Sequence, residues 1–311
     1  MFFAILDVLI YIRHPRLMIS FIRHMGYWPR PALPRRYNEK YLWRKLFDHD
    51  PRFTECIDKL RVKSRVRERH PGVRLPEVLW EGDDPEEIPA SLLSGNCVVK
   101  ANHGCGWNVL VLDGKVDRGE LNRKARKWMR RRYYGRGRGE WGYKNITPRL
   151  FVEEMMMAAG APVDCEYKCY IAGGELIYVY VKVDRFGAEP REAVLDPDGN
   201  YKETIIDRAR TTVPFPKPGH WDKIVSVAKT MGSEFDFVRC DLYEIDGEIW
   251  FSEYTFYSLS GYTFVDWPEV NERLVRAWDI RRSWFLTTPQ KGWRAFYAAR
   301  LKAALDAPIA Q

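Results

Sequence analysis

Val238-Arg239-Cys240-Asp241-Leu242-Tyr243 and Ile249-Trp250-Phe251-Ser252-Glu253-Tyr254-Thr255 flank the dipeptide Asp246-Gly247. Two β-like runs around Asp-Gly are a hairpin signal. Each run carries one acid among apolar neighbours, Asp241 on the first and Glu253 on the second. A buried carboxylate is costly without a cation or strong donor beside it. Two on adjacent strands can grip Mg²⁺ through oxygen while leaving positions open for phosphate. Arg239, two residues before Asp241, shares its strand face. The competing reading is a surface hairpin with one Arg–Asp pair.

Working outward, Cys97-Val98-Val99-Lys100 reads as a buried strand that runs into the loop Asn102-His103-Gly104-Cys105-Gly106. Lysine at such a strand end can pin a phosphate while glycine lets backbone N–H groups approach it. The loop is no Walker A motif, and a solvent-facing lysine is the alternative. Lys59, after Asp58, is a second candidate phosphate contact. Glu166 and Lys168 share a strand face by period-two spacing. They can take a ribose hydroxyl and a phosphate oxygen together, or simply pair with each other. Leu150-Phe151-Val152 ends in Glu153, Glu154, Met155, Met156 and Met157; polarizable methionines suit an adenine ring but also pack cores.

The 311 residues, 14% aromatic and 30% charged, describe a folded chain with room for two or three subdomains. The six cysteines (56, 97, 105, 165, 169 and 240) form no CxxC pair, and nothing completes Cys165/Cys169 as a zinc site. Reduced thiols and a cytoplasmic setting follow. The net charge of +8 favours an anionic partner, and the dense basic run Arg123 to Arg138 concentrates it. No apolar stretch approaches a membrane span; Met1 to Tyr11 lacks a secretion signal's basic leader and cleavage site and suits a packed or peripheral helix. Helices are predicted within 1–30, 39–70 and 220–232, and 291–305 reads as an amphipathic basic helix. Glu166–Ala172 and Leu176–Val183 read as an antiparallel pair joined at Gly173-Gly174.

In order, Lys59, the Lys100 loop, the Val152–Met156 edge, Glu166-x-Lys168, Arg239-x-Asp241 and Glu253-x-Thr255 resemble the ATP site of the ATP-grasp superfamily. The resemblance is closest to its TupA-like branch, associated with teichuronopeptide and other surface-polysaccharide pathways. It is carried by Asp58-Lys59, Val99-Lys100-Ala101-Asn102-His103-Gly104, Glu140-Trp141-Gly142-Tyr143-Lys144, Tyr167-Lys168, Asp184-Arg185, Arg239-Cys240-Asp241-Leu242-Tyr243 and Phe251-Ser252-Glu253-Tyr254-Thr255-Phe256. It spans about residues 40 to 265.

The resemblance implies an α+β ATP-grasp fold: two α+β subdomains clasping ATP between antiparallel sheets, with helical N- and C-terminal extensions. The divisions it suggests are 1–57 helical, 58–150 small subdomain, 151–285 subdomain with the Mg²⁺ site, and 286–311 basic helix. Lys59 and Lys100 would hold the α- and β-phosphates, with the loop Asn102 to Gly106, including His103 and Gly104, folding over the triphosphate. The strand edge at Glu153, Glu154, Met155 and Met156 would meet adenine, Glu166 the ribose, and Lys168 the phosphates. Asp241 and Glu253 would carry one or two Mg²⁺ ions, Glu253 bridging them, and Arg239 would steady the γ-phosphate or an acyl phosphate. Thr255 stands where many members have Asn, a weaker ligand for a second ion.

The implied activity is an ATP-dependent carboxylate–amine ligase, joining an amino acid or amine to a uronic acid of a surface polysaccharide. Lys182 and Arg185 are candidates for the acceptor carboxylate, and Ser258, Ser260 and Gly261 for the amine side. The rivals are a glycosyltransferase, whose DxD-type motif is not evident, and a nucleic-acid-binding protein using 123–138. The acids of the hairpin would repel phosphate without metal, so nucleic acid is not the expected partner. A cytoplasmic location is expected, and the apolar N-terminal and basic C-terminal segments allow a peripheral position at the inner face of the membrane.

Overall fold

The computed structural model describes residues 1–133, 138–183, 191–206, 209–210 and 214–307. The chain opens with helices α1 (Phe2–Arg13), α2 (Pro15–Met25), α3 (Tyr37–Leu46), α4 (Pro51–Ile57) and α5 (Arg61–Arg69). Their starts are set by local chemistry. Pro15 and Pro51 occupy first turns, where a missing N–H costs nothing. The Glu39 carboxylate accepts from the backbone N–H of Arg35 and Arg36 ahead of α3. Asp58 does the same for Leu60 and Arg61, which places it at the start of α5.

A four-stranded antiparallel sheet follows, ordered β1-β4-β2-β3. Its strands are β1 (Val78–Gly82), β2 (Cys97–Ala101), β3 (Asn108–Val111) and β4 (Leu150–Glu154), and α6 (Arg118–Met129) packs on it. A small hairpin, β5 (Met157–Ala158) and β6 (Ala161–Pro162), leads to β7 (Glu166–Ala172), β8 (Glu175–Val183) and β9 (Arg191–Leu195). After the short ladder β10 (Ile205–Ile206) and β11 (Ala209–Arg210) come α7 (Trp221–Gly232), β12 (Phe237–Ile245) and β13 (Glu248–Thr255). The larger sheet is antiparallel in the order β13-β12-β7-β8-β9.

Alternation along these strands sorts the sheet into two faces. Cys169, Ile171, Val179, Val238 and Cys240 turn to Ile224, Ala228 and Met231 of α7 in one apolar core. Gly232 is required there, because a Cβ would lie 2.6 Å from the Ile171 side chain. On the other face, Tyr170, Tyr178 and Phe237 meet a helical layer of α1–α3 with α8 (Pro268–Ala277), α9 (Trp284–Thr287) and α10 (Trp293–Asp306). The helical ends of the chain are thus packed onto the sheet as one layer. Arg44 is fully buried in it, donating to Asp236 Oδ1 at 2.5 Å and to the Phe237 carbonyl at 3.0 Å. α10 buries Tyr297, Ala298 and Leu301 but exposes Trp293 and Phe296, so its outer side is aromatic as well as basic. The rest of the site-bearing face is left open toward the smaller sheet.

Candidate active site

The open face carries one polar row across four strands. Register pairs Glu253 with Asp241, Asp241 with Lys168, and Lys168 with Tyr180. A second row places Glu166 opposite Lys182 and Lys182 opposite Glu192. Apart from Asp241, which is buried beneath its neighbours, these rows floor a cleft of about 520 Å³, closed on the other side by Lys59 from the α4–α5 connection and by Lys100, Gly106 and Trp107 from the smaller sheet and its loop. A neighbouring cavity of about 280 Å³, lined by Val98, Leu110, Glu154, Met155 and Met156, shares Lys100, Asn108, Met156 and Tyr243 with the cleft. A polar channel therefore continues into a slot of mixed lining, where Val98, Leu110, Met155 and Met156 stand beside Glu153 and Glu154. A larger cavity of about 700 Å³ near α3 and α8 contains none of these residues.

Asp241 is fully buried. Arg239 donates to both its oxygens at 2.6 Å, and Lys168 Nζ donates to Oδ2 at 2.7 Å. Lys168 also lies 2.7 Å from Glu166 Oε2. Burial pushes the Asp241 carboxyl up, with Arg239 and Lys168 pulling against it. Glu253 lies at the cleft wall, with Lys59 Nζ 3.1 Å from Oε2, Arg239 Nη2 3.5 Å from Oε1, and Thr255 Oγ1 3.5 Å from Oε1. Burial opposes its ionisation, but Lys59, Arg239 and Lys168 together hold it well below the usual carboxylate range. Three cations thus converge on two carboxylates. Each acid is paired within the site, Asp241 with Arg239 and Lys168, Glu253 with Lys59.

On the opposite wall, Lys100 and Lys63 bracket Glu153, Lys63 at 3.0 Å. Burial raises the Glu153 carboxyl and the two lysines more than reverse that. Asn102 and His103 lie beneath the loop rather than in the cleft. Asn102 donates to Asp58 at 3.1 Å and to the Thr147 carbonyl at 3.0 Å, and accepts from Arg149 N. His103 Nε2 lies 3.2 Å from the carbonyls of Trp128 and Arg131, tying the loop to the end of α6. A Cβ on Gly104 would sit 2.2 Å from the Trp107 ring, and Gly106 has a left-handed φ of 69°. Both are positions that glycine fits. Met155 and Met156 line the slot, while Glu154 takes the N–H of Glu77.

Lys182 and Ser258 reach the cleft. Ser258 is bonded to Tyr170 at 2.8 Å and to Arg239 at 3.2 Å. Ser260 is buried, donating to Glu140 at 2.6 Å, and Gly261 packs against Tyr41. Arg185 lies outside the described residues. Tyr170, Tyr180, Tyr243 and Trp107 also line the cleft without having been singled out from sequence. Tyr170 and Tyr243 continue the alternations Glu166-x-Lys168 and Arg239-x-Asp241, the signal that would have found them.

Among the described residues no three His, Cys, Asp or Glu side chains form a ready-made metal site. Asp241, Glu253 and Thr255 instead supply two carboxylates and a hydroxyl, of which Glu253 lines the cleft and Asp241 lies buried with both oxygens held by Arg239 and Lys168. That hard-oxygen donor set fits Mg²⁺, which commonly takes one or two carboxylates and completes its shell with phosphate and water.

A family model described as TupA-like ATPgrasp matches residues 39–274. No curated protein sequence matches the chain. Among solved structures, a D-alanine–D-alanine ligase from Bacillus anthracis complexed with ATP is 15% identical, with TM-score 0.36 over 65% of this chain and 53% of its own. The ATP-grasp ligase PsnB complexed with a phosphomimetic precursor variant, Mg and ADP is 16% identical, with TM-score 0.39 over 75% and 62%. The macrocyclase MdnC from Microcystis aeruginosa MRC, bound with its precursor peptide MdnA, is 13% identical, with TM-score 0.36 over 71% and 60%. The chain spans between about half and three fifths of the length of these structures.

Proposed function

Because the chain belongs to the TupA-like ATP-grasp family, we propose that it is an ATP-dependent carboxylate–amine ligase that forms an amide through an acyl phosphate. The observation that carries this reading is the Glu253–Asp241–Lys168 row, roofed by Lys59 and Lys100 and open to the adjoining slot. Adenine fits the Met155–Met156 slot, ribose the Glu166 edge, and the triphosphate the space between Lys59, Lys100, Lys168 and Gly106.

Asp241, Glu253 and Thr255 are the residues that would hold Mg²⁺, which when bound supplies charge neutralisation on the phosphate oxygens. Lys59 and Lys168 leave their carboxylates for the β- and γ-phosphates. Arg239, fixed by Asp241 and Ser258, faces the transferring phosphoryl group and then the acyl phosphate. A substrate carboxylate attacks the γ-phosphorus, the bond to the β-phosphate oxygen breaks, and ADP leaves. An amine then attacks the acyl carbon and expels phosphate. No protein nucleophile is needed; positioning and electrostatics do the chemistry.

The acceptor is proposed to be a uronic acid of an anionic glycan. Lys127, Arg130 and Arg131 are exposed along a groove of about 440 Å³ on α6, and His103 links the end of that helix to the loop over the cleft. The test is ADP release by the purified chain given ATP, Mg²⁺, a uronic acid and each amino acid in turn. Release that depends on both acceptors supports the ligase. ATP turnover indifferent to carboxylate and amine would overturn it.

A further inference from the structure

We infer that the outer side of α1, with the adjoining edge of α10, is a docking surface for an anionic lipid bilayer. This goes beyond the ligase reading and does not depend on it. α1 is apolar on nearly all sides. Phe3, Leu6 and Ile10 pack inward on the helical layer, whereas Ile5, Val8, Leu9 and Ile12 are 53%, 58%, 55% and 72% exposed. Their spacing of three, four and seven residues makes one continuous stripe. A helix that is apolar all round is normally covered on both sides, and an exposed apolar patch marks an interaction site.

The stripe does not end with α1. Phe2 meets Phe296 edge-on, ring centroids 5.3 Å apart, which sets the exposed Phe296 of α10 beside it. Trp28, 72% exposed, stacks on Tyr11 of α1. Aromatic rings of this kind favour the boundary between headgroups and acyl chains. With 12 residues, α1 is about 18 Å long, short of the roughly 30 Å hydrocarbon core. Among the described residues no helix is long and apolar enough to cross a membrane, so α1 would lie along the surface.

Charge selects the occupant. Residues 1–38 contain six arginines and one acid. That acid, Asp7, is turned to the Ala32 N–H and Arg30. Arg13, Arg16 and Arg23 are exposed, and Arg300 lies over the Phe296 ring. An apolar stripe edged with arginine complements an anionic headgroup layer. A second copy would cover the stripe but bring like charges together.

The experiment is co-sedimentation of the full chain with vesicles of phosphatidylcholine alone or mixed with phosphatidylglycerol. Binding to the mixed vesicles, much weaker binding to the neutral ones and loss in high salt are expected. The pair Leu9→Glu and Ile12→Glu should weaken binding by more than roughly tenfold, and the pair Arg13→Glu and Arg16→Glu should weaken it too. All four positions are exposed, so an unchanged melting temperature and nucleotide response should accompany both variants. No recruitment, recruitment equal on neutral vesicles, or recruitment surviving both variants would overturn the inference. A dimer that the glutamates split, with no vesicle binding, would assign the stripe to a second copy.

Discussion

Glu253 and Asp241 face each other across β12 and β13, and the next pair in the ladder is Leu242 with Phe251, so Ser252 is an extra residue on β13. This bulge sends Phe251 into the core and Glu253 into the cleft, although residues two apart on a regular strand share a face. One inserted residue thus turns the end of an apolar strand toward the cleft.

Replacing Glu253 with Gln keeps the shape and removes the charge that Lys59 and Arg239 converge on. Acceptor-dependent ADP release should fall by more than about 100-fold, a transition-state loss near 3 kcal/mol. Because the carboxyl is held well below the usual range, the melting temperature should fall too, by a few degrees that leave the chain folded under assay conditions. Steady-state assay and thermal denaturation on one preparation check both.

Lys168→Met should act on stability as well as activity. It leaves buried Asp241 with Arg239 alone, and breaking such a cluster costs about 3–5 kcal/mol. Adding Asp241→Asn should recover part of the loss, because the uncompensated charge goes too. Urea melts of the single and double variants measure the coupling.

Gly261→Ala and Gly106→Ala separate packing from backbone strain. Both glycines have left-handed φ, 76° and 69°. A Cβ at 261 would lie 2.4 Å from Tyr41 Cβ, whereas one at 106 meets nothing within 4 Å. The first substitution should cost about 2–4 kcal/mol and the second about 1–2 kcal/mol, compared by denaturant midpoints.

Acid stability has an identifiable contributor far from the cleft. Glu234 is bonded to Arg65, Arg69 and His70. Burial raises its carboxyl, but these three partners bring it down to about 2 from an ordinary 4.5. A carboxyl depressed in the folded state binds fewer protons there than in the unfolded state. Its stabilisation is therefore complete above about pH 4.5 and is lost as pH falls toward 2. Glu234→Gln should lower stability at neutral pH by roughly 1–3 kcal/mol and flatten the acid limb across that window.

The hairpin, the β7–β8 pair and the apolar strand into the Lys100 loop were legible because period-two alternation and glycine turns are local signals. Alternation also placed Arg239 with Asp241 and Glu166 with Lys168 on shared faces. Other features depend on distant pairings that local pattern does not encode. Tyr180 joins the site only through its register with Lys168, and Lys63 reaches Glu153 from a helix. Arg44 finds Asp236 across the core. Asn102 and His103 sit in a loop whose composition suits phosphate, yet their side chains brace Asp58, Thr147 and α6 from below.

Calorimetric titration of ATP, with and without Mg²⁺, into the wild-type chain and into Glu253→Gln reads whether nucleotide binding depends on a metal held at Glu253. ATP should bind the wild type, more tightly with Mg²⁺, and the variant should lose most of that metal-dependent gain. Absence of ATP binding, or a Mg²⁺ effect undiminished in the variant, would contradict it.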